Sequence, residues 1–295
     1  MSPIVLVHGI FNYIPGIEYE AAAAQLASTY QPCLAEGLGR LSVPTPEVSM
    51  AYYADLLRRD SPRWAQSTAR APGFESLRTE QQRADAVQWL VAAGFVEPEN
   101  PMGEPTRFLR NWLTQLVDER GGRLSRAARR LVVDRVERAI VAHVHEVEAY
   151  TSQPERRALV RARVAEVVRR EAPEVVIAHS LGSYIAYEAL HAYPDLEVKL
   201  LVTVGSPLRV PLLLRRLDPA LRSGRGARPA GVRKWVNIAD VGDPVAVPPK
   251  LSEVFPVDSE ETCDNGFNAH GLGGYLSNNV LAGIIAPHLS DHAPD

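Results

Sequence analysis

A serine stands at an abrupt junction in the stretch Val175-Val176-Ile177-Ala178-His179-Ser180-Leu181-Gly182-Ser183-Tyr184. Four apolar residues lead into it and a helix-like pattern leads out. Ala178-His179-Ser180-Leu181-Gly182 fits the small-x-Ser-x-Gly elbow, with alanine in place of the first glycine. A turn that sharp tolerates only small side chains beside the serine. It lifts the hydroxyl above the sheet at a helix N-terminus, where free N–H groups and the helix dipole favour a developing negative charge. Such a serine is a candidate nucleophile. The plainer reading of the same residues is a serine that only caps a helix.

A hydroxyl needs a base, and the base needs an orienting carboxylate. On an elbow of this kind the acid and then the histidine follow the serine in chain order. Downstream lie His191, His270, His288 and His292. His191 falls on the helix leaving the elbow, and His288 and His292 fall in a polar tail. His270 stands in the glycine-rich stretch Asn268-Ala269-His270-Gly271-Leu272-Gly273-Gly274, which can present an imidazole over the sheet edge. Two carboxylates compete for the acid, both at the end of the strand-like run Trp235-Val236-Asn237-Ile238. Asp243 is favoured for its place in the loop ahead of Pro244. Asp240 is the alternative, with turn shaping as its other employment.

Apolar runs must position these groups. Residues 4–7 form a branched apolar run that reads as a buried parallel strand, and 48–53, 175–178, 199–204 and 233–238 read as further strands. Helices are predicted over 20–30, 85–93, 183–191 and 276–285, with prolines at 98, 101 and 105 marking a loop. Residues 106–171 are nearly free of proline and rich in arginine. Val133, Val136, Ile140, Val144 and Val147 recur at helical spacing, and Leu159, Val160, Val164, Val167 and Val168 repeat the pattern after Pro154. The basic face opposite these stripes reads as solvated surface. Strand–helix alternation implies an α/β fold with a mostly parallel sheet covered on both faces.

The Val7-His8-Gly9 turn, the elbow around Ser180, Gly205-Ser206-Pro207, Asp243-Pro244-Val245 ahead of Pro248-Pro249, and His270 together resemble an α/β-hydrolase of the lipase/esterase type. The resemblance covers about residues 1–60 and 172–290. It implies a single α/β-hydrolase domain over 1–295 whose chain begins at the family's third core strand, the usual first two being missing. Residues 61–171 fall where a helical cap can be inserted. The activity implied is that of a serine ester hydrolase working through Ser180, Asp243 and His270 by way of an acyl-enzyme, without cofactor or metal. The N–H groups of Ile10 and Leu181 would form the oxyanion hole. His8 would tie down its loop, and Phe11, Tyr13 and Ile14 would line the pocket mouth or else pack beneath the cap. The same site could end in acyl transfer, peptide cleavage or macrocyclisation, or survive as a non-catalytic binding module.

Composition narrows the classes. The chain has 295 residues, is 46% hydrophobic and 23% charged, and carries a formal charge of -3. Nothing pulls it toward nucleic acid or an anionic membrane, so the expected partner is a small-molecule or acyl substrate. The first residues show neither a basic stretch nor a long apolar core, so no secretory signal is expected, and a cytoplasmic location is. No window is long and apolar enough for a membrane span. Cys33 and Cys263 are expected as reduced thiols, with Cys263 a weak rival nucleophile. No zinc motif or phosphate-binding glycine loop occurs, and His143 and His145, two apart on a helix, face different ways. The apolar stripe of the insertion is expected either to roof Ser180, supplying no triad member, or to form a homodimer interface.

Overall fold

Short runs of branched apolar side chains set the middle of the sheet. In the computed structural model, which describes residues 2–58, 73–92, 114, 126–266 and 269–289, strand β1 (Ile4–Val7) is buried along its whole length. Its side chains alternate, Val5 and Val7 joining one core cluster and Ile4 and Leu6 the other. Strand β3 (Val175–His179) behaves likewise, with Val176 and Ala178 on the first face and Val175 and Ile177 on the second. Strands that bury both faces read as unbroken apolar runs, which is why the sequence reveals them.

Strands β2 (Val48–Ala51), β4 (Val198–Val204), β5 (Val232–Asp240) and β6 (Ser259–Cys263) complete a sheet of order β2-β1-β3-β4-β5-β6. All five pairings are parallel. The chain runs outward from β1 to β2, then returns past β1 to β3 and proceeds the other way. The reversal lies between β1 and β3, paired through Val5 with Val176 and Val7 with Ala178. In open α/β sheets such a switch point opens a crevice at the carboxyl ends of the strands.

Helix α1 (Tyr19–Gly39), with α8 (Leu272–Ser277) and α9 (Asn279–Ile285), covers the face carrying Ile4 and Leu6. The other face is covered by α5 (Pro154–Glu171) and α6 (Leu181–Ala192), in one core cluster with α2 (Ala54–Arg58), α3 (Glu80–Ala92), α4 (Arg126–Thr151) and α7 (Pro211–Arg216). The two amphipathic stripes part company here. Val160, Val164, Val167 and Val168 of α5 pack toward β1, β2 and α6, so this helix is a crossover lying on the sheet. Val133, Ile140, Val144 and Val147 of α4 are buried against the same cluster, which also holds Trp89 and Leu90 of α3. Both stripes are thus covered within one chain except at Leu159, predicted in the second stripe but exposed.

Several predicted bounds shift. The first helix reaches Gly39 rather than ending at residue 30, and β2 stops at Ala51. The helix predicted over 276–285 is two helices broken at Asn278, whose side chain accepts from the Val280 N–H at 2.9 Å and caps the second. Strand β6 was not predicted. Residues 59–72, 93–113 and 115–125 of the arginine-rich and proline-marked region lie outside the described residues. Among the described residues no helix is long and apolar enough to cross a membrane.

Two arginines of α5 turn inward, against the expectation of a wholly solvated basic face. Glu188 of α6 is fully buried. It pairs with Arg157 and, at 2.7 Å, with Arg161, and it accepts from the Tyr150 hydroxyl at 2.6 Å and the Asp218 N–H at 3.0 Å. A buried carboxylate is tolerable only when so paired and bonded.

Candidate active site

Strand β3 ends at His179 and α6 begins at Leu181, leaving Ser180 alone in the turn with φ 54° and ψ −131°. A non-glycine residue held there costs on the order of 1–3 kcal/mol, and the surrounding structure enforces it. The Ser180 N–H donates to the Val204 carbonyl at 3.1 Å, and its carbonyl accepts from the N–H and hydroxyl of Ser183 at 2.9 and 2.6 Å. The elbow fits only because two residues lack side chains. A Cβ on Gly182 would lie 2.3 Å from the His8 carbonyl oxygen, and one on Gly9 would lie 2.6 Å from the Ser180 Cβ.

The loop after β1 therefore presses against the serine. His8 is buried and stacked on Tyr53 at 4.0 Å between centroids. Its Nδ1–H donates to the Gly9 carbonyl at 2.7 Å, and its Nε2 accepts from the Tyr53 N–H at 3.1 Å. Both nitrogens are thus committed to main chain, the tying role expected of this ring. Asn12, unremarked in the sequence, donates its amide to the carbonyls of Gly9 and Ile10 at 3.1 and 2.8 Å. With those carbonyls turned to Asn12, the Ile10 N–H belongs to a fixed loop. The Leu181 N–H opens a helix and has no intrahelical acceptor behind it. Phe11 is half exposed, whereas Tyr13 and Ile14 pack against the core cluster on the α1 side of the sheet.

His270, Asp243 and Ser180 come together. The His270 Nε2 lies 3.0 Å from Ser180 Oγ, and its Nδ1 lies 2.8 Å from Asp243 Oδ2. Asp243 Oδ1 accepts from the N–H groups of Val245 and Ala246 at 2.8 and 3.3 Å, and Oδ2 also accepts from the Tyr275 hydroxyl at 2.8 Å. Burial alone would raise the Asp243 carboxyl, but the charge and hydrogen bond of His270 outweigh it, together with the Val245 N–H and the Tyr275 hydroxyl. The group is held below the usual carboxylate range. Gly205, at φ +57°, makes room for the pair, since a Cβ there would sit 2.8 Å from Asp243 Oδ2. Tyr275 had no signal of its own in the sequence.

The competing groups are elsewhere. Asp240 Oδ1 accepts from the Gly242 N–H at 2.7 Å, and Oδ2 accepts from the Asn265 N–H, so this carboxylate shapes its turn. His191 faces the Ala227 carbonyl at 3.2 Å, His288 sits in a short 3-10 turn, and His292 lies outside the described residues. Burial, aided by the Asp240 charge, pushes the Cys263 thiol up to about 12, which removes its thiolate at neutral pH. Cys33 and Cys263 are both free.

Two further histidines complete the site. His179 donates its Nε2–H to the His270 carbonyl at 2.7 Å, so the residue before the serine holds the loop that carries His270. His143, on α4, places Nε2 2.8 Å from Ser180 Oγ. The helical region does bring a side chain to the serine, which the sequence reading had not foreseen. His143 sits three residues after Ile140 and four before Val147, and a polar ring inside an apolar stripe was the available signal. His145 faces away as predicted, toward Ser76 Oγ at 3.2 Å. Ser180 and His143 are both fully buried.

Burial pushes His8 down to about 4, and His143 and His179 to about 3. Each is neutral in the fold near neutral pH, against an ordinary value of 6.5. As pH falls through 6.5 the unfolded chain takes up protons that the folded chain refuses, so stability falls with pH down to about 4. The limit is about 2 kcal/mol for each ring at pH 5, from 1.36 kcal/mol per unit of difference. Urea midpoints followed from pH 7 to pH 5 should drop steeply, and His8→Phe should flatten the slope by one ring's share. A slope that His8→Phe leaves unchanged would show that His8 is protonated in the folded state.

Comparison with protein-family models, with curated protein sequences and with solved structures gave no match.

Proposed function

We propose that the protein is a serine ester hydrolase of the α/β-hydrolase, lipase/esterase type. The observation that carries this reading is the continuous chain of contacts from Ser180 Oγ through His270 to Asp243, built on a strained elbow at the sheet's switch point. In the proposed reaction Ser180 Oγ bonds to the ester's carbonyl carbon as its proton passes to His270 Nε2. Asp243 holds the Nδ1–H tautomer and stabilises the imidazolium. The N–H groups of Ile10 and Leu181 receive the oxyanion. The C–O bond to the leaving alcohol then breaks, and His270 returns the proton to that oxygen. Water attacks the acyl-enzyme, gives a proton to His270, and the acid leaves as Ser180 regains its hydrogen.

The test is covalent. A fluorophosphonate probe should add once, on Ser180, and Ser180→Ala should abolish the adduct. A panel of acyl esters of graded chain length beside matching peptide amides should show turnover of esters first. An adduct mapped by intact mass and peptide analysis to any other residue overturns the assignment.

A further inference from the structure

We propose that His143 is a positioning residue for Ser180: it shares the single hydroxyl proton with His270 and withholds it until α4 is displaced. The inference rests on the reading of Ser180 as nucleophile. It follows from counting hydrogens. The His143 Nδ1 lies 2.7 Å from the Ala139 carbonyl, which can only accept, so Nδ1 carries the hydrogen and Nε2 of the neutral ring is bare. In the neutral tautomer the His270 Nδ1 carries the hydrogen facing the Asp243 carboxylate at 2.8 Å, and its Nε2 is then bare as well. Ser180 Oγ stands 2.8 Å from one bare nitrogen and 3.0 Å from the other. One hydroxyl hydrogen serves two acceptors, and only one contact is filled at a time.

His143 cannot serve as a second base in the manner of His270. No carboxylate backs its Nδ1, which is spent on a main-chain carbonyl, and burial keeps the ring neutral. Nor is it free to turn aside. The ring is fully buried and packs on Trp89, with centroids 4.7 Å apart, and Trp89 donates its Nε1–H to the Pro244 carbonyl at 3.3 Å in the acid loop. The group that holds the hydroxyl off the base is therefore fixed between α3, α4 and the loop of Asp243. A substrate carbonyl must reach Oγ, which is fully buried beside the His143 Nε2. Admission of substrate thus displaces His143, and the same displacement leaves His270 as the hydroxyl's acceptor. Entry and activation become one event, and while the site is closed the serine is turned on His270 only in a minority of molecules.

His143→Phe keeps a ring against Trp89 and deletes the acceptor. The withholding proposed is a preference of the hydrogen for the nearer His143 by about one net hydrogen bond, roughly tenfold in an equilibrium, so His143→Phe should be labelled by the fluorophosphonate about tenfold faster than the parent. A rate unchanged within about twofold, or a slower one in a variant of parental thermal stability, overturns the proposal. A second measurement does not depend on reactivity or on that variant folding. Imidazole ¹⁵N shifts should show His143 and His270 both protonated on Nδ1, and both Nε2 resonances should move in Ser180→Ala. If only the His270 resonance moves, the shared proton is refuted. If the parent protein is not labelled at all yet both resonances move, the hydrolase reading fails while the two-histidine contact stands.

Discussion

Asp243→Asn is expected to slow acylation of Ser180 by about 10³–10⁴-fold, the scale of losing a triad carboxylate, while Asp240→Asn changes it by less than about threefold. The difference follows from what each carboxylate touches. Asp243 Oδ2 is the atom facing His270 Nδ1. An asparagine amide there presents hydrogens to Nδ1 and forces the proton onto Nε2, the nitrogen that must receive the serine hydrogen. Oδ1 can still accept from Val245 and Ala246, but the Tyr275 hydroxyl, which already accepts from the Asp240 N–H, loses the acceptor of its own hydrogen. The loss should therefore fall mainly on reactivity, with a smaller cost of about 1–3 kcal/mol in stability. Asp240 has its oxygens on the N–H groups of Gly242 and Asn265, so its replacement loosens a turn and leaves the His270 tautomer alone. Second-order rate constants for fluorophosphonate labelling of the two variants measure the ranking directly. If Asp240→Asn is the slower of the two, the acid has been misassigned.

The parts of this site that were legible in the sequence share one property: each imposes a steric or solvation demand that only a few residue types meet. Parallel strands covered on both faces must be continuously apolar, so β1, β3 and β4 stand out. The elbow admits only small neighbours, so Ala178, Gly182 and Ser180 stand out too. Strand β6 reads Ser-Glu-Glu-Thr-Cys because it lies at the sheet edge, where no apolar run is required. Loop position in the sequence favours Asp243 over Asp240 without excluding the latter, because Asp240 ends the strand that Asp243 closely follows, and the direction of each side chain distinguishes them. Tyr275 is one more aromatic in a helix until its hydroxyl is seen between Asp243 and the Asp240 N–H. His143 is more instructive. Its spacing from Ile140 and Val147 is that of the buried stripe, which the sequence reading did not extend to it, and periodicity in any case gives the face a residue occupies and not what lies across from it. That partner is set by how α4 packs over the carboxyl ends of β1 and β3.

Glu188→Leu is expected to destabilise the fold by about 3–5 kcal/mol, the cost of removing one partner of a buried ion pair. Glu188 lies on the helix that Ser180 opens, and Arg157 and Arg161 of α5 converge on it with side chains only 18% and 13% exposed. Its removal takes the buried carboxylate from both largely buried guanidinium groups, leaving Arg161 with Asp218 alone of these two acids, and strips the Tyr150 hydroxyl and the Asp218 N–H of their acceptor. Arg157 retains the Arg216 carbonyl and Arg161 retains Asp218, so the cost stays within that range and the chain still folds. The melting temperature should fall on the order of 10 °C. The triple replacement Glu188→Leu, Arg157→Met, Arg161→Met removes the charges together and should recover much of the loss, because the penalty of the single change is the stranding of its partners. Labelling of Ser180 should persist in both variants at temperatures where they are folded, since the elbow is anchored by the Val204 carbonyl and by Ser183, not by this network. Thermal and urea unfolding of the single and triple variants decide the matter. A single variant within 1 kcal/mol of the parent would show that water reaches these arginines in the folded protein. A triple variant no better than the single would show that packing around Glu188, rather than stranded charge, carries the stability.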